Sequence, residues 1–164
     1  MKSFSSDEVL KIWHNYNIPH ADTILFLLYT GFRPSEMCGI KVKDVDLVAG
    51  TITGGLKTEF GKERIMPIHS KIFELVTMNC RASESGYLFE NDGKMWTILC
   101  YQAVWSALMK QLKMNHTSHE CRHTFRSRLD ATVADRKCIE VMMGCTNTLK
   151  TIEELKKNIE LLKF

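Results

Sequence analysis

Thr117-Ser118-His119-Glu120-Cys121-Arg122-His123-Thr124-Phe125 is the stretch around which the chain is organised. His119 and Arg122 stand three residues apart, which on a helix puts both side chains on one face. An imidazole moves a proton near neutral pH. A guanidinium grips two oxygens of a phosphate in a bidentate fork. The pair suits phosphate-ester chemistry, in which a proton is moved and an anion is held. Taken alone the spacing says little, because a His–Arg pair on a surface helix is usually a solvated face. Its weight comes from two stretches upstream.

The bulk properties allow that chemistry without demanding it. A chain of 164 residues is most simply one domain, and 45% apolar with 25% charged residues is the composition of a folded core. The net charge is only +3. Its distribution is more informative. Between Lys110 and Lys137 there are seven Lys/Arg against three acids, with His116, His119 and His123 among them, a basic stripe that fits a polyanionic partner. The six cysteines, Cys38, Cys80, Cys100, Cys121, Cys138 and Cys145, form no CxxC pair and no zinc spacing, so free thiols in a reducing cytosol are expected. No apolar run reaches membrane-spanning length and no signal peptide is evident.

The pattern reads as mainly α with a small antiparallel β-sheet, an α+β domain over residues 1–164. Ser5 and Glu8 form a capping box ahead of a short helix whose expected apolar face is Val9, Leu10 and Trp13. The run Ile24-Leu25-Phe26-Leu27-Leu28-Tyr29 is apolar all round and predicts a buried helix stopped by Gly31. Pro34 and Glu36 suit the first turn of the next helix, which holds Arg33 at a tight junction. By itself Arg33 is as well explained by a pair with Glu36 or another carboxylate. Thr51-Ile52-Thr53 and Arg64-Ile65-Met66-Pro67-Ile68 predict two antiparallel strands, with Lys57 near their hairpin. Helices are expected over 69–79, with Ile72, Phe73, Val76 and Met78 apolar, and over 97–112. The helix bearing His119 and Arg122 should run to about Leu129. Asp135 caps a further helix with Gly144 as its stop. Thr151 and Glu154 cap a last one, whose stripe of Ile152, Leu155, Ile159 and Leu162 either packs at home or docks on a neighbour.

Three stretches then line up in order: Tyr29-Thr30-Gly31-Phe32-Arg33-Pro34-Ser35-Glu36, Lys57-Thr58 with Arg64-Ile65-Met66-Pro67-Ile68, and His119-Glu120-Cys121-Arg122-His123-Thr124-Phe125. Together they resemble the catalytic domain of tyrosine recombinases, the phage and transposon integrases, from about residue 5 to the end. The resemblance implies a mostly helical catalytic domain with a small sheet at one edge. It implies that Arg33 and Arg122 clamp the scissile DNA phosphate, that Lys57 protonates the leaving 5′ oxygen, and that His119 assists proton transfer. DNA binding would fall to Arg33, Lys57, Arg122 and Arg126, with double-stranded DNA as partner, no metal and no cofactor. It further implies site-specific recombination and integration of a mobile element in the cytoplasm of a bacterial or phage-infected cell. Other integrase protomers, or further copies of this chain, would assemble through the C-terminal helix. The chain would begin at the catalytic domain, without the N-terminal DNA-binding domain of full-length relatives.

One part of the pattern is missing. The family's nucleophile is a tyrosine just before the last helix. Here that stretch reads Gly144-Cys145-Thr146-Asn147-Thr148-Leu149-Lys150-Thr151, with Cys145 at the place of the second histidine and no tyrosine anywhere after Arg122. Tyr29 and Tyr101 read as core, and Tyr16 and Tyr87 match no nucleophile position. The expectation is therefore a domain that keeps the phosphate-binding half of the site and has lost the cleaving half. The alternative is a non-catalytic DNA-binding or regulatory remnant that pairs with an active integrase.

Overall fold

A computed structural model describes residues 1–54, 64–146 and 148–164. Lys57 and Asn147 lie outside the described residues. The fold is built on α2 (Ala21–Thr30), in which every residue except Asp22 is buried. A helix apolar on all sides can satisfy its surface only at the centre of a domain. α1 (Ser6–His14) and α6 (His119–Asp130) pack against it. α3 (Pro34–Cys38) follows at once and meets α5 (Ile98–Leu112). α4 (Phe73–Ala82), α7 (Arg136–Met142) and α8 (Ile152–Ile159) complete the helical body.

A three-stranded antiparallel sheet lies at one edge, in the order β1 (Val45–Asp46), β2 (Thr51–Gly54), β3 (Arg64–Pro67). β2 pairs with β3 so that Ile52 opposes Met66 and Gly54 opposes Arg64. β1 is a strand the sequence pattern does not announce, being only two residues long. A separate hairpin joins β4 (Glu90–Asn91) to β5 (Lys94–Met95) through Asp92 and Gly93, both at positive φ. Two successive left-handed residues are what a two-residue hairpin turn requires.

Local signals translate directly. Ser5 and Glu8, and Thr151 and Glu154, form the expected capping boxes, and the Asp135 side chain accepts from the Lys137 N–H. One helical face differs from expectation. α1 buries Val9 and Ile12, three apart and therefore on one face, and leaves Leu10 exposed and Trp13 partly covered. α4 and the 3₁₀ turn before it bury Ile72, Leu75 and Val76, while Phe73 and Met78 face outward. α8 packs on β3 and α7 of its own chain, with Leu155, Ile159 and Leu162 buried. All six cysteines are free thiols, with Cys38, Cys121 and Cys138 buried. Burial pushes the Cys38 thiol up to about 11.

Candidate active site

The site is assembled at the C-terminal end of α2. Gly31 caps that helix at φ 68°, a left-handed conformation that glycine adopts without strain. A Cβ at this position would lie 2.5 Å from Cδ1 of Phe125, so the missing side chain is also what lets α6 approach. That approach puts Arg122 within reach of the turn. Its Nη1 donates to the Gly31 carbonyl at 2.7 Å and its Nη2 to the Met143 carbonyl at 2.8 Å, just beyond α7. One guanidinium therefore ties α6 to the ends of two other helices.

Arg33 follows two residues after Gly31, in extended conformation at the start of α3. Its Nη1 contacts Glu36 Oε1 at 2.6 Å, the pairing that the i,i+3 spacing allows. Glu36 is not a surface partner. Its carboxylate is fully buried, and its second oxygen lies 2.7 Å from Nη2 of Arg64 on β3. Arg64 is itself buried, with its guanidinium 4.4 Å from the centroid of the Phe32 ring, and Phe32 stacks on Phe26. A planar cation over an aromatic face is a favourable arrangement, more so when water is excluded.

The electrostatics follow from this geometry. Burial, reinforced by the nearby charges of Arg33 and Arg64, pulls the Arg122 guanidinium down to about 10. Burial also lowers Arg64, against the opposing pull of Glu36. Three guanidiniums thus sit close enough to feel one another, with Glu36 as the carboxylate that offsets them. An uncompensated buried charge is costly, and an incoming anion relieves the cost. Cys145 is exposed and near enough to influence both Arg64 and Arg122.

The residues singled out from sequence separate into two groups. Arg33, Arg122 and Cys145 belong to one electrostatic neighbourhood. His119 is the first residue of α6, exposed, and its side chain makes no hydrogen bond or ion pair among the described residues. Arg126 lies further along α6 and pairs with Asp130 at 2.9 Å. His116 requires correction as part of a basic stripe facing a partner. It is buried, stacked on Phe4 at 3.9 Å, with Nδ1 2.6 Å from Glu120 and Nε2 3.0 Å from Glu8. Those carboxylates take up its polar edge, so it fastens the N-terminal segment to α6. Arg128 does similar work through the Phe4 carbonyl and the Ser6 hydroxyl.

The sequence model of the phage integrase family matches residues 2–154. The chain belongs to that family. Tyrosine recombinase XerA of Pyrococcus horikoshii is 32% identical over 179 aligned positions, which take in 99% of this chain and 62% of the relative. The chain therefore spans less than two thirds of that protein. The crystal structure of a XerA recombinase superposes with a TM-score of 0.76 at 19% identity, over all of this chain and 61% of that one. The Tn1549 transposon integrase, solved in complex with circular intermediate DNA, gives 0.73 at 20% identity, over 96% of this chain and 64% of its own. At such identities the likeness is one of fold, a tyrosine recombinase catalytic domain.

Within this integrase fold, two members of the cluster lie in the stretches that carry the resemblance but have no site role assigned from sequence. Arg64 and the bridging role of Glu36 emerge only from packing. Strand alternation was the available signal: Arg64 shares its face with Met66, and that face points inward while Ile65 is exposed. Among the described residues, no group of three His, Cys, Asp or Glu side chains is placed to hold a metal ion, and no helix is long and apolar enough to cross a membrane.

Proposed function

We propose that this chain is a tyrosine recombinase catalytic domain that binds a DNA phosphodiester without cleaving it. The observation that carries the reading is the cluster of Arg33, Arg64 and Arg122 around the buried carboxylate of Glu36. Arg33 and Arg122 hold the phosphate, as preorganised cations that need no rearrangement when charge arrives. Lys57 is the general acid, His119 assists proton transfer, and Arg126 contributes to the DNA-facing surface. Similarity to an integrase solved on circular intermediate DNA supports DNA as the ligand. Site-specific recombination, with integration of a mobile element, is the process in which such a domain acts.

The cleaving half is absent. No tyrosine follows Arg122, and the tyrosines at 29 and 101 are buried in the core. The XerA alignment runs at least 15 positions longer than this chain, so the relative carries segments missing here. A regulatory role beside an active integrase is the second reading, favoured by the same missing nucleophile. Pairing through α8 would require its buried stripe to be released from β3.

The test is a nicked suicide DNA substrate analysed on a denaturing gel, beside a binding titration at several salt concentrations. Duplex binding that weakens steeply with salt, and no denaturant-stable adduct, is the expected result. An adduct at normal yield would overturn the claim of lost cleavage, and salt-insensitive binding would overturn the phosphate-binding site.

A further inference from the structure

We propose that Arg64 is a positioning residue, which acts through Glu36 to keep the guanidinium of Arg33 available to an anion. The inference rests on the reading of Arg33 and Arg122 as phosphate-binding groups. Arg64 cannot itself reach a DNA backbone, because its side chain is only 5% exposed and is held over Phe32. Arg33, at 42% exposed, meets solvent. Glu36 stands between them with one oxygen on each.

That division of the carboxylate is the point. A buried carboxylate demands compensation for its lost hydration. With Arg64 present, its charge compensates one oxygen of Glu36 from the protein side, Nη2 lying 2.7 Å from Oε2. Without Arg64, both oxygens of Glu36 turn to Arg33, which forms a bidentate pair and is drawn inward. The charge of Arg33 is then cancelled and its donors are occupied. Arg122 also loses a neighbouring positive charge that raises the potential at the anion site. Arg64 thus sets both the orientation and the net charge of a pocket it does not line.

The variants Arg64→Met and Arg64→Lys, and the pair Glu36→Gln/Arg64→Met, separate these effects. Each is titrated with a short labelled DNA duplex and with inorganic phosphate, and the Arg33 Nε–Hε resonance is followed by NMR. Arg64→Met should weaken duplex binding roughly tenfold, the low end of what loss of an outer-shell partner costs in metal and catalytic sites. It should also displace the Arg33 resonance and blunt its response to phosphate. Arg64→Lys, which keeps the charge without the planar stack, should fall between. Removing the carboxylate as well should restore most of the affinity, because nothing then competes for Arg33. A folded Arg64→Met protein that binds like the parent, with an unmoved Arg33 resonance, overturns the inference. So does an Arg64→Met defect that Glu36→Gln does not relieve. If the unaltered protein binds neither duplex nor phosphate, the site reading itself fails, and that result is distinct from the other two.

Discussion

Gly31→Ala is the substitution that tests how the site is assembled. Two separate costs meet at this residue. The backbone is left-handed at φ 68°, which costs a residue with a Cβ roughly 1–2 kcal/mol. The new methyl would also lie 2.5 Å from Cδ1 of Phe125 and 2.9 Å from Cε1 and Cγ, so α2 and α6 must separate or Phe125 must leave its rotamer. Overpacking of this kind costs about 1–3 kcal/mol. The sum, about 2–5 kcal/mol, is a large share of the roughly 5–15 kcal/mol that stabilises a domain. At about 2–4 °C per kcal/mol for a chain of this size, the melting temperature should drop by roughly 4–20 °C. Urea unfolding followed by circular dichroism measures the loss. Phe125→Ala alone should cost about 3–5 kcal/mol through the cavity it leaves. In the double variant the methyl introduced by Gly31→Ala enters that cavity, so the combined loss should fall short of the sum by at least about 1 kcal/mol. Strict additivity would show that the two residues do not compete for space, and the account of how α6 reaches the turn would be wrong.

Arg122→Lys leaves the carbonyls of Gly31 and Met143 without their shared donor, and should cost about 2–3 kcal/mol in urea unfolding; a change within about 0.5 kcal/mol would deny that the guanidinium ties the helices together. Glu120 should make the fold acid-sensitive. Burial opposes its ionisation, but hydrogen bonds from His116 and from the N–H groups of Lys2 and Thr117 outweigh this and hold its carboxyl below the ordinary range. Its contribution is complete above the ordinary carboxylate pKa and is lost as pH falls through the lowered value, so Glu120→Gln should flatten the acid limb of a stability–pH curve. His69 acts on the C-terminal segment. Its Nδ1 accepts from the Lys71 N–H, which leaves Nε2 to donate to the Leu162 carbonyl at 3.0 Å, and burial lowers its pKa from 6.5. Protonation fills Nδ1 and removes the acceptor of the Lys71 N–H, while Nε2 goes on donating to Leu162. A depressed folded pKa means that the Lys71 bond is complete above about 6.5 and lost as pH falls below it, so amide exchange at Lys71 should accelerate on acidification ahead of the core, an effect that His69→Gln would abolish.

Sequence carried the local half of this structure well. Capping boxes at Ser5 and Thr151, the stop at Gly31 and the all-apolar run in α2 are each set by neighbours within a turn, so short-range chemistry decides them. It carried the long-range half poorly. Leu10 and Phe73 are apolar yet exposed, because which face of a short helix meets the core depends on elements far along the chain. His116 looked like part of a cationic stripe, although its i,i+4 relation to Glu120 was a clue to an internal pair. Glu36 and Arg64 are 28 positions apart, and no short window of sequence contains both. Arg33 was correctly placed at a rigid junction, and its pairing with Glu36 proved real as well; the two readings are compatible because the carboxylate is shared.

The choice of partners for Arg122 bears on how, in the proposed reading, the site would hold an anion without a nucleophile. A carboxylate partner would fix the guanidinium but cancel its charge. Two backbone carbonyls fix it at 2.7 and 2.8 Å and leave the charge intact. Both carbonyls lie at helix ends, where the helix dipole is negative and a cation is favoured by about 0.3–1 kcal/mol. A guanidinium has five N–H donors, and these bonds use two, so donors remain for an anion. Among the described residues, none of the hydrogen bonds and ion pairs that set the cluster passes through the stretch 144–151. Arg122 leans on Gly31 and Met143, Arg33 and Arg64 on Glu36, and Arg64 on Phe32. The cationic cluster therefore leans on Gly31, Met143 and Glu36, and on the proposed reading the loss of a tyrosine from the stretch before the last helix would leave that pocket built.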